Sequence, residues 1–165
     1  MIALFVLLAS VPATGLRAFS QSSADTGQQN SKQSEREMLD INAIATLSVG
    51  IVIQSYGYIG IFADLYGKGV YDARQVKEML DVTVQYLNNA QNILHKYQSR
   101  SVDVAPGDRR YIAEIEGILV ILIREAENLL SFTQTRSEAD LAKYNESRVQ
   151  AHKLLEKFTS NLPSD

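Results

Sequence analysis

Hydrophobic positions recur at alternating intervals of three and four residues along most of the chain. In one segment these positions are Ala73, Val76, Leu80, Thr83, Leu87, Ala90, Leu94 and Tyr97. The same alternation runs from Ile112 to Thr133 and again from Leu141 to Leu162. This spacing is typical of helices that bury one face against their neighbours. No segment has the alternation of a strand bounded by hairpin turns, so the pattern predicts an all-α protein.

Residues that favour helix ends divide the pattern into four segments. The predicted helices cover about 34–66, 72–100, 108–134 and 137–162. Ser34 and Glu37 have the spacing of a capping box, and the glycines of residues 67–69 suit a helix C-terminus. Because the first and third connections are short, we expect an antiparallel up-down-up-down four-helix bundle over residues 34–162.

The chain before this bundle has the pattern of an export signal. Residues 1–20 combine an apolar run with small residues at Ala18 and Ser20, which predicts a secretory signal peptide, although its start has no lysine or arginine. Residues 21–33 are polar and aperiodic, and predict a flexible leader. An exported domain without cysteine depends on its core alone, which favours a bacterial periplasmic or extracellular location.

Composition narrows the function classes further. The 165 residues carry a net charge of −3, no cysteine and two histidines, and no basic block that would indicate a nucleic-acid partner. Predicted helix heights separate Met38 and His152 by about 20 Å, too far for one haem to bridge. Neither His95 nor His152 has a glutamate three residues before it, as a di-iron bundle requires. We therefore expect no cofactor, no metal and no catalytic site.

A polar layer is predicted near the middle of the bundle. Gln54, Thr83 and Arg148 share one height, and Glu125 is close enough in height to pair with Arg148. A charge at a buried position must be paired or reach solvent. The layer is interpreted first as a device that fixes which helices pair, and alternatively as a pocket for a small molecule.

The turn after the first helix is rich in tyrosine. Tyr66 and Tyr71 lie there, and Asp64 shares this end of the bundle with Asp140. Aromatic rings beside carboxylates can bind cations. Tyrosine also suits the rim of a core, where the ring is buried and the hydroxyl stays wet, and this second interpretation is favoured.

The first helix is the most informative segment. Residues 41–63 contain no charged residue, whereas an ordinary bundle helix has a charged outer face. Its helical glycines cost about 1 kcal/mol each relative to alanine, which close approach of another backbone would offset. The face proposed for a partner consists of Ala43, Leu47, Gly50, Gln54, Gly57 and Ile61.

Three explanations account for this uncharged helix. A helical partner, most simply a second copy in a homodimer, ranks first. Burial within the monomer ranks second, and a transmembrane span ranks third. The sequence therefore predicts an exported, non-enzymatic bundle that acts by protein association. The alternative is a periplasmic sensor-like bundle that binds a small molecule at the polar layer or the tyrosine-rich end.

Overall fold

The computed structural model describes residues 28–100 and 105–160. They form four α-helices, which are α1 (Gln28–Gly67), α2 (Ala73–Arg100), α3 (Pro106–Thr135) and α4 (Glu138–Ser160). The helices pack against one another, and the described residues contain no strand. The all-helical prediction is confirmed. The predicted signal peptide, residues 21–27 of the leader and the last two residues of the fourth predicted helix lie outside the described residues.

The first helix begins six residues earlier than the sequence pattern indicated. α1 starts at Gln28, so Ser34 lies inside the helix and is not its N-cap. Residues 28–33 of the predicted leader are therefore helical. Glutamine and lysine propagate a helix well, and no glycine or proline separates Gln28 from Ser34, so nothing local stops the helix there.

The helices α2 and α4 start at the positions that their capping residues predicted. The backbone N–H of Gln75 donates to Asp72 Oδ1 at 2.8 Å, and the N–H of Asp72 donates to Gln75 Oε1 at 2.9 Å. This is a reciprocal capping box that satisfies two free donors of α2. At α4, the N–H of Asp140 donates to Ser137 Oγ at 3.1 Å, so Ser137 caps that helix.

The third helix starts at Pro106, two residues before the predicted start at Asp108. Ala105 is the N-cap and provides no side-chain hydrogen bond. Proline suits the first helical position because its missing N–H would have no partner there, and its fixed φ fits the helix. Asp108 instead lies in the first turn, where its negative charge interacts favourably with the positive end of the helix dipole.

The turn between α1 and α2 is closed by a left-handed glycine. Gly69 has a φ of 68°. Its N–H donates to the carbonyl of Tyr66, and the N–H of Val70 donates to the carbonyl of Leu65. These two bonds form a Schellman motif, which satisfies carbonyls that the end of α1 leaves open. The prediction of a glycine-terminated helix is confirmed.

The core is centred on α3. This helix contacts α1, α2 and α4, whereas α4 packs mainly on α3. Ile118 and Ile121 are also buried, although they lie outside the predicted three-and-four pattern of α3. They widen the apolar face of α3, so that it can pack against three other helices. The largest fully enclosed side chains on α3 are Ile112, Ile115, Leu119, Leu122, Glu125 and Leu129.

Candidate functional site

The predicted partner face of α1 lies on the outside of the molecule. Ala43, Leu47, Gly50, Gln54, Gly57 and Ile61 are all exposed. Leu47 is 67% exposed and Ile61 is 50% exposed, while Val52 and Ile59 on the opposite face are completely buried. Among the described residues, no other helix covers this face, so α1 leaves apolar side chains in contact with solvent.

The glycines of α1 divide into two kinds. A Cβ added to Gly50 or Gly57 would have no atom within 4 Å. A Cβ at Gly60 would instead overlap the guanidinium of Arg148. Gly60 is therefore explained by a contact inside the monomer. The contact is with the Arg148 side chain, whereas the sequence pattern predicted the backbone of another helix. The helix cost of Gly50 and Gly57 is not offset by any contact among the described residues.

The same helix passes a simple test for a membrane span. Its segment Thr46–Gly67 has 22 residues; the most apolar window in it has a mean hydropathy of 1.4, and 22% of that window is buried inside the protein. A span of about 20 apolar residues is enough to cross a bilayer. Core helices of soluble proteins and signal sequences meet the same criterion, so length and composition do not decide between these roles.

A buried ion pair lies between α3 and α4. Arg148 Nη1 donates to Glu125 Oε1 at 2.7 Å. Glu125 is completely buried, and the side chain of Arg148 is 30% exposed. Burial raises the pKa of Glu125, while the hydrogen bond and positive charge of Arg148 oppose that rise. The pair agrees with the predicted proximity of these two residues.

The arginine of this pair also reaches α1. Its guanidinium carbon lies 4.3 Å from the centroid of the Tyr56 ring, and Nη1 donates to the Tyr56 carbonyl at 3.3 Å. The Tyr56 ring stacks with His152 at 6.1 Å between centroids. Three helices thus meet at Arg148. Such contacts favour one helix arrangement over others, which is the structural role that a buried polar group can have.

One oxygen of the pair has no partner. Glu125 Oε2 is buried and accepts no hydrogen bond from the described residues. An unpaired buried carboxylate oxygen costs free energy, which a proton on the carboxyl would reduce. The raised pKa of Glu125 has the same physical origin.

The other two predicted members of the polar layer lie elsewhere. Gln54 is exposed on the outer face of α1. Thr83 is buried, but its hydroxyl donates to the Met79 carbonyl of its own helix at 2.9 Å. The four-residue layer is therefore not assembled. The layer was predicted from height along the helices, and height does not fix the direction in which a side chain points.

The tyrosine-rich end is a packed rim. The Tyr66 hydroxyl donates to the Thr133 carbonyl at 3.1 Å and accepts from Arg136 Nε at 3.2 Å. Its ring makes an edge-to-face contact with Phe132, with 6.0 Å between centroids. Tyr71 is half-buried against the core. This geometry agrees with the rim interpretation, in which buried rings carry satisfied hydroxyls.

The two carboxylates at this end are engaged separately. Asp64 pairs with Lys68 on the next turn. Asp140 accepts hydrogen bonds from Lys143, Thr135 and Ser137, which hold its pKa well below the usual range. In the part of the chain that the structure describes, no group of three or more histidine and carboxylate side chains is placed to hold a metal ion.

Two open grooves lie away from the predicted ligand residues. The larger, about 440 Å³, lies between α2 and α3 and is lined by Leu80, Val84 and Asn88 among others. The smaller, about 170 Å³, lies between α3 and α4 near Gly117 and Phe158. Neither groove contains a residue of the predicted polar layer or tyrosine-rich end, and binding of a small molecule at those places stays a prediction.

No family model, curated protein or solved structure matches this chain. The functional conclusion therefore depends on the residues and contacts of the chain itself.

Two features of the surface and core were not predicted. Tyr56 and Gly60 complete the surroundings of Arg148, and their spacing of four residues places them on one side of α1. On α2, Val82 is 66% exposed and Tyr86 is 50% exposed. Both residues lie outside the buried face of α2 and are four positions apart. A search of the sequence for a second apolar stripe on this helix would have detected that spacing.

Proposed function

We propose that this protein acts by protein–protein association through the exposed face of α1, most simply with a second copy of itself. The observation that carries the proposal is the exposure of an uncharged helix face in a folded protein. Every residue of that face, from Ala43 to Ile61, lies on the solvent side of α1. A large exposed apolar patch on a folded protein commonly marks an interaction site.

The hydrophobic effect supplies the driving force for this association. Full burial of a leucine or isoleucine side chain stabilises a complex by about 1.5–3 kcal/mol relative to full exposure. Leu47, Ile53 and Ile61 keep about half or more of their surface exposed, so much of that free energy is available to a partner. No charge between residues 41 and 63 opposes burial of the face.

The glycines support close approach by the partner. Gly50 and Gly57 have open space where a Cβ would lie. Small residues let two helix backbones approach closely, and the dispersion contacts formed there would offset the low helix propensity of glycine. This is the role that the sequence pattern predicted for these two residues.

We infer that the four helices form an antiparallel up-down-up-down bundle. Short turns join α1 to α2 and α3 to α4. Tyr66, near the end of α1, contacts Thr133, near the end of α3, and Tyr111, near the start of α3, packs on Phe158, near the end of α4. These contacts fit helices that reverse direction at each connection.

A non-enzymatic role outside the cytoplasm completes the proposal. The most unusual polar group, Glu125, is enclosed by packed helices and paired with Arg148, which suits stabilisation better than turnover of a substrate. Export depends on the predicted signal at residues 1–20, and a periplasmic or extracellular location follows from it.

Membrane contact through α1 is the second candidate, and it is favoured by one observation. The segment Thr46–Gly67 is long and apolar enough to cross a bilayer, and most of its surface is not buried inside the protein. The two candidates differ in what covers the same helix face, so one experiment separates them.

The test is the molar mass of the full chain measured by light scattering over a range of concentrations. We expect a dimer for the wild type and a monomer for Gly57→Glu. Because Gly57 has open space around it, glutamate should leave the fold intact, and circular dichroism checks this. Val149→Glu is the matched control, since Val149 is 53% exposed on α4 and should remain dimeric. A wild type that is monomeric at every concentration contradicts the proposal.

A further inference from the structure

The second helix carries an additional apolar stripe on its surface. Met79, Val82, Tyr86 and Ile93 are between 44% and 66% exposed. Their spacings of three, four and seven residues place them on one side of α2. At 100° per residue, this side lies about 120° around the helix from the core positions Leu80 and Leu87.

The position of this stripe follows from the neighbours of α2. The groove shared with α3 is lined on α2 by Val84, Gln85 and Asn88, so these residues mark the side of α2 that faces α3. Met79, Val82, Tyr86 and Ile93 lie on the opposite side of the core positions. Since α2 packs against α1 as well as α3, the stripe borders α1.

The exposed face of α1 adjoins the apolar stripe of α2. Arg148 of α4 contacts Tyr56 and lies against Gly60, so that side of α1 faces α4. Tyr58 and Leu47 lie across the exposed face from them, on the side nearer α2. Tyr58 is 51% exposed. The two apolar areas therefore join into one surface, the α1–α2 surface, which consists of the partner face of α1 together with Tyr58, Met79, Val82, Tyr86 and Ile93.

We propose that the α1–α2 surface is the interface with a second copy of this chain, so that α2 contributes to the dimer together with α1. This inference rests on the proposed association through α1 and extends it to α2. The four α2 side chains keep between 44% and 66% of their surface exposed and so add to the area that α1 offers, and a standard interface buries about 800 Å² per partner. The small-residue face of α1 alone offers less area, because its glycines have no side chains.

The arrangement of charges indicates a two-fold partner. Gln54 lies thirteen residues before the end of α1, and Tyr86 lies thirteen residues after the start of α2, so both are at one height. Glu78, which also forms an exposed ion pair with Arg74 at 3.9 Å, and Lys96 lie beside the apolar stripe of α2, eight and ten residues on either side of Tyr86. A two-fold axis between Gln54 and Tyr86 brings Glu78 of one copy towards Lys96 of the other. A surface with this symmetry is complementary to itself.

The experiment compares Val82→Glu with Gly57→Glu in the full chain, by sedimentation equilibrium and with circular dichroism as the check on folding. We expect Val82→Glu and Gly57→Glu each to raise the dimer dissociation constant at least 100-fold, and Val149→Glu to leave it unchanged. If Gly57→Glu dissociates the dimer and Val82→Glu does not, the role of α2 is wrong and the proposed function stands. If the wild type is monomeric, both fail.

Charge reversal tests the two-fold arrangement. We expect Lys96→Glu to weaken the dimer several-fold and the double variant Lys96→Glu/Glu78→Lys to recover the wild-type dissociation constant. A double variant as weak as the single one overturns the proposed axis. Flotation of a monomeric wild type with vesicles of phosphatidylcholine and phosphatidylglycerol would assign the surface to a membrane and overturn the dimer.

Discussion

The helices α1 and α3 are both long and apolar, but they use their hydrophobic residues in different ways. α3 contacts all three other helices and keeps charged residues such as Arg124 and Glu127 on its exposed side. α1 buries one face through Val52 and Ile59, and it has no charge from residue 41 to 63 on any side. Hydrophobic content alone therefore does not distinguish a core helix from an interface helix. The distinguishing feature is what occupies the side turned away from the core.

A large effect is expected for the Arg148–Glu125 ion pair, through which α4 connects α1 and α3. Arg148→Ala leaves Glu125 buried without its partner, which should lower the free energy of unfolding by about 3 kcal/mol at pH 7. Arg110→Ala is the control, because the pair of Arg110 with Glu114 is exposed and should contribute less than about 0.5 kcal/mol. Urea denaturation measures both.

The pH dependence of the same variant has a definite sign. Burial holds the pKa of Glu125 above its ordinary value of 4.5, so its contribution to stability is largest at low pH and is lost as the pH rises through the folded pKa. Removing Arg148 removes the hydrogen bond and charge that oppose this shift. The deficit of Arg148→Ala should therefore grow between pH 4 and pH 7. An equal deficit at both values would mean that the lost stability does not come from Glu125.

A pair of leucines tests the contrast between α3 and α1 directly. Leu122 of α3 is completely buried, and Leu47 of α1 is 67% exposed. Leu122→Ala should lower the free energy of unfolding by about 2–5 kcal/mol at any protein concentration. Leu47→Ala should change it by less than about 0.5 kcal/mol in the monomer and lower stability only at concentrations where the dimer forms.

Thermal unfolding at a series of concentrations separates these outcomes. A cost of several kcal/mol for Leu47→Ala under dilute conditions would show that Leu47 is a core residue, and that the contrast between the two helices is wrong.

The helices were predictable because their limits are set locally. The reciprocal bonds between Asp72 and Gln75 need only a spacing of three residues, and Gly69 needs only a left-handed turn. The start of α1 was missed because Ser34 and Glu37 fit a capping box equally well inside a longer helix. A cap pattern permits a start but does not impose one.

The site was predictable only in part, for a reason that lies in α1 itself. Arg148 occupies a buried-face position of α4, and Glu125 was matched to it by height alone; the two side chains form a pair. α1 has no charged side to orient it, so the direction of Gln54 could not be determined. Gln54 was assigned to both the interface and the polar layer, and it lies on the exposed face.

The most direct test of the central claim uses the absence of native cysteine. In Gln54→Cys the only thiol lies on the exposed face of α1, midway between Gly50 and Gly57. A short bismaleimide should link two copies of this variant efficiently, whereas Val149→Cys on α4 should stay unlinked. Equal linking of both variants, or linking of neither, would contradict the claim that α1 is the face on which two copies meet.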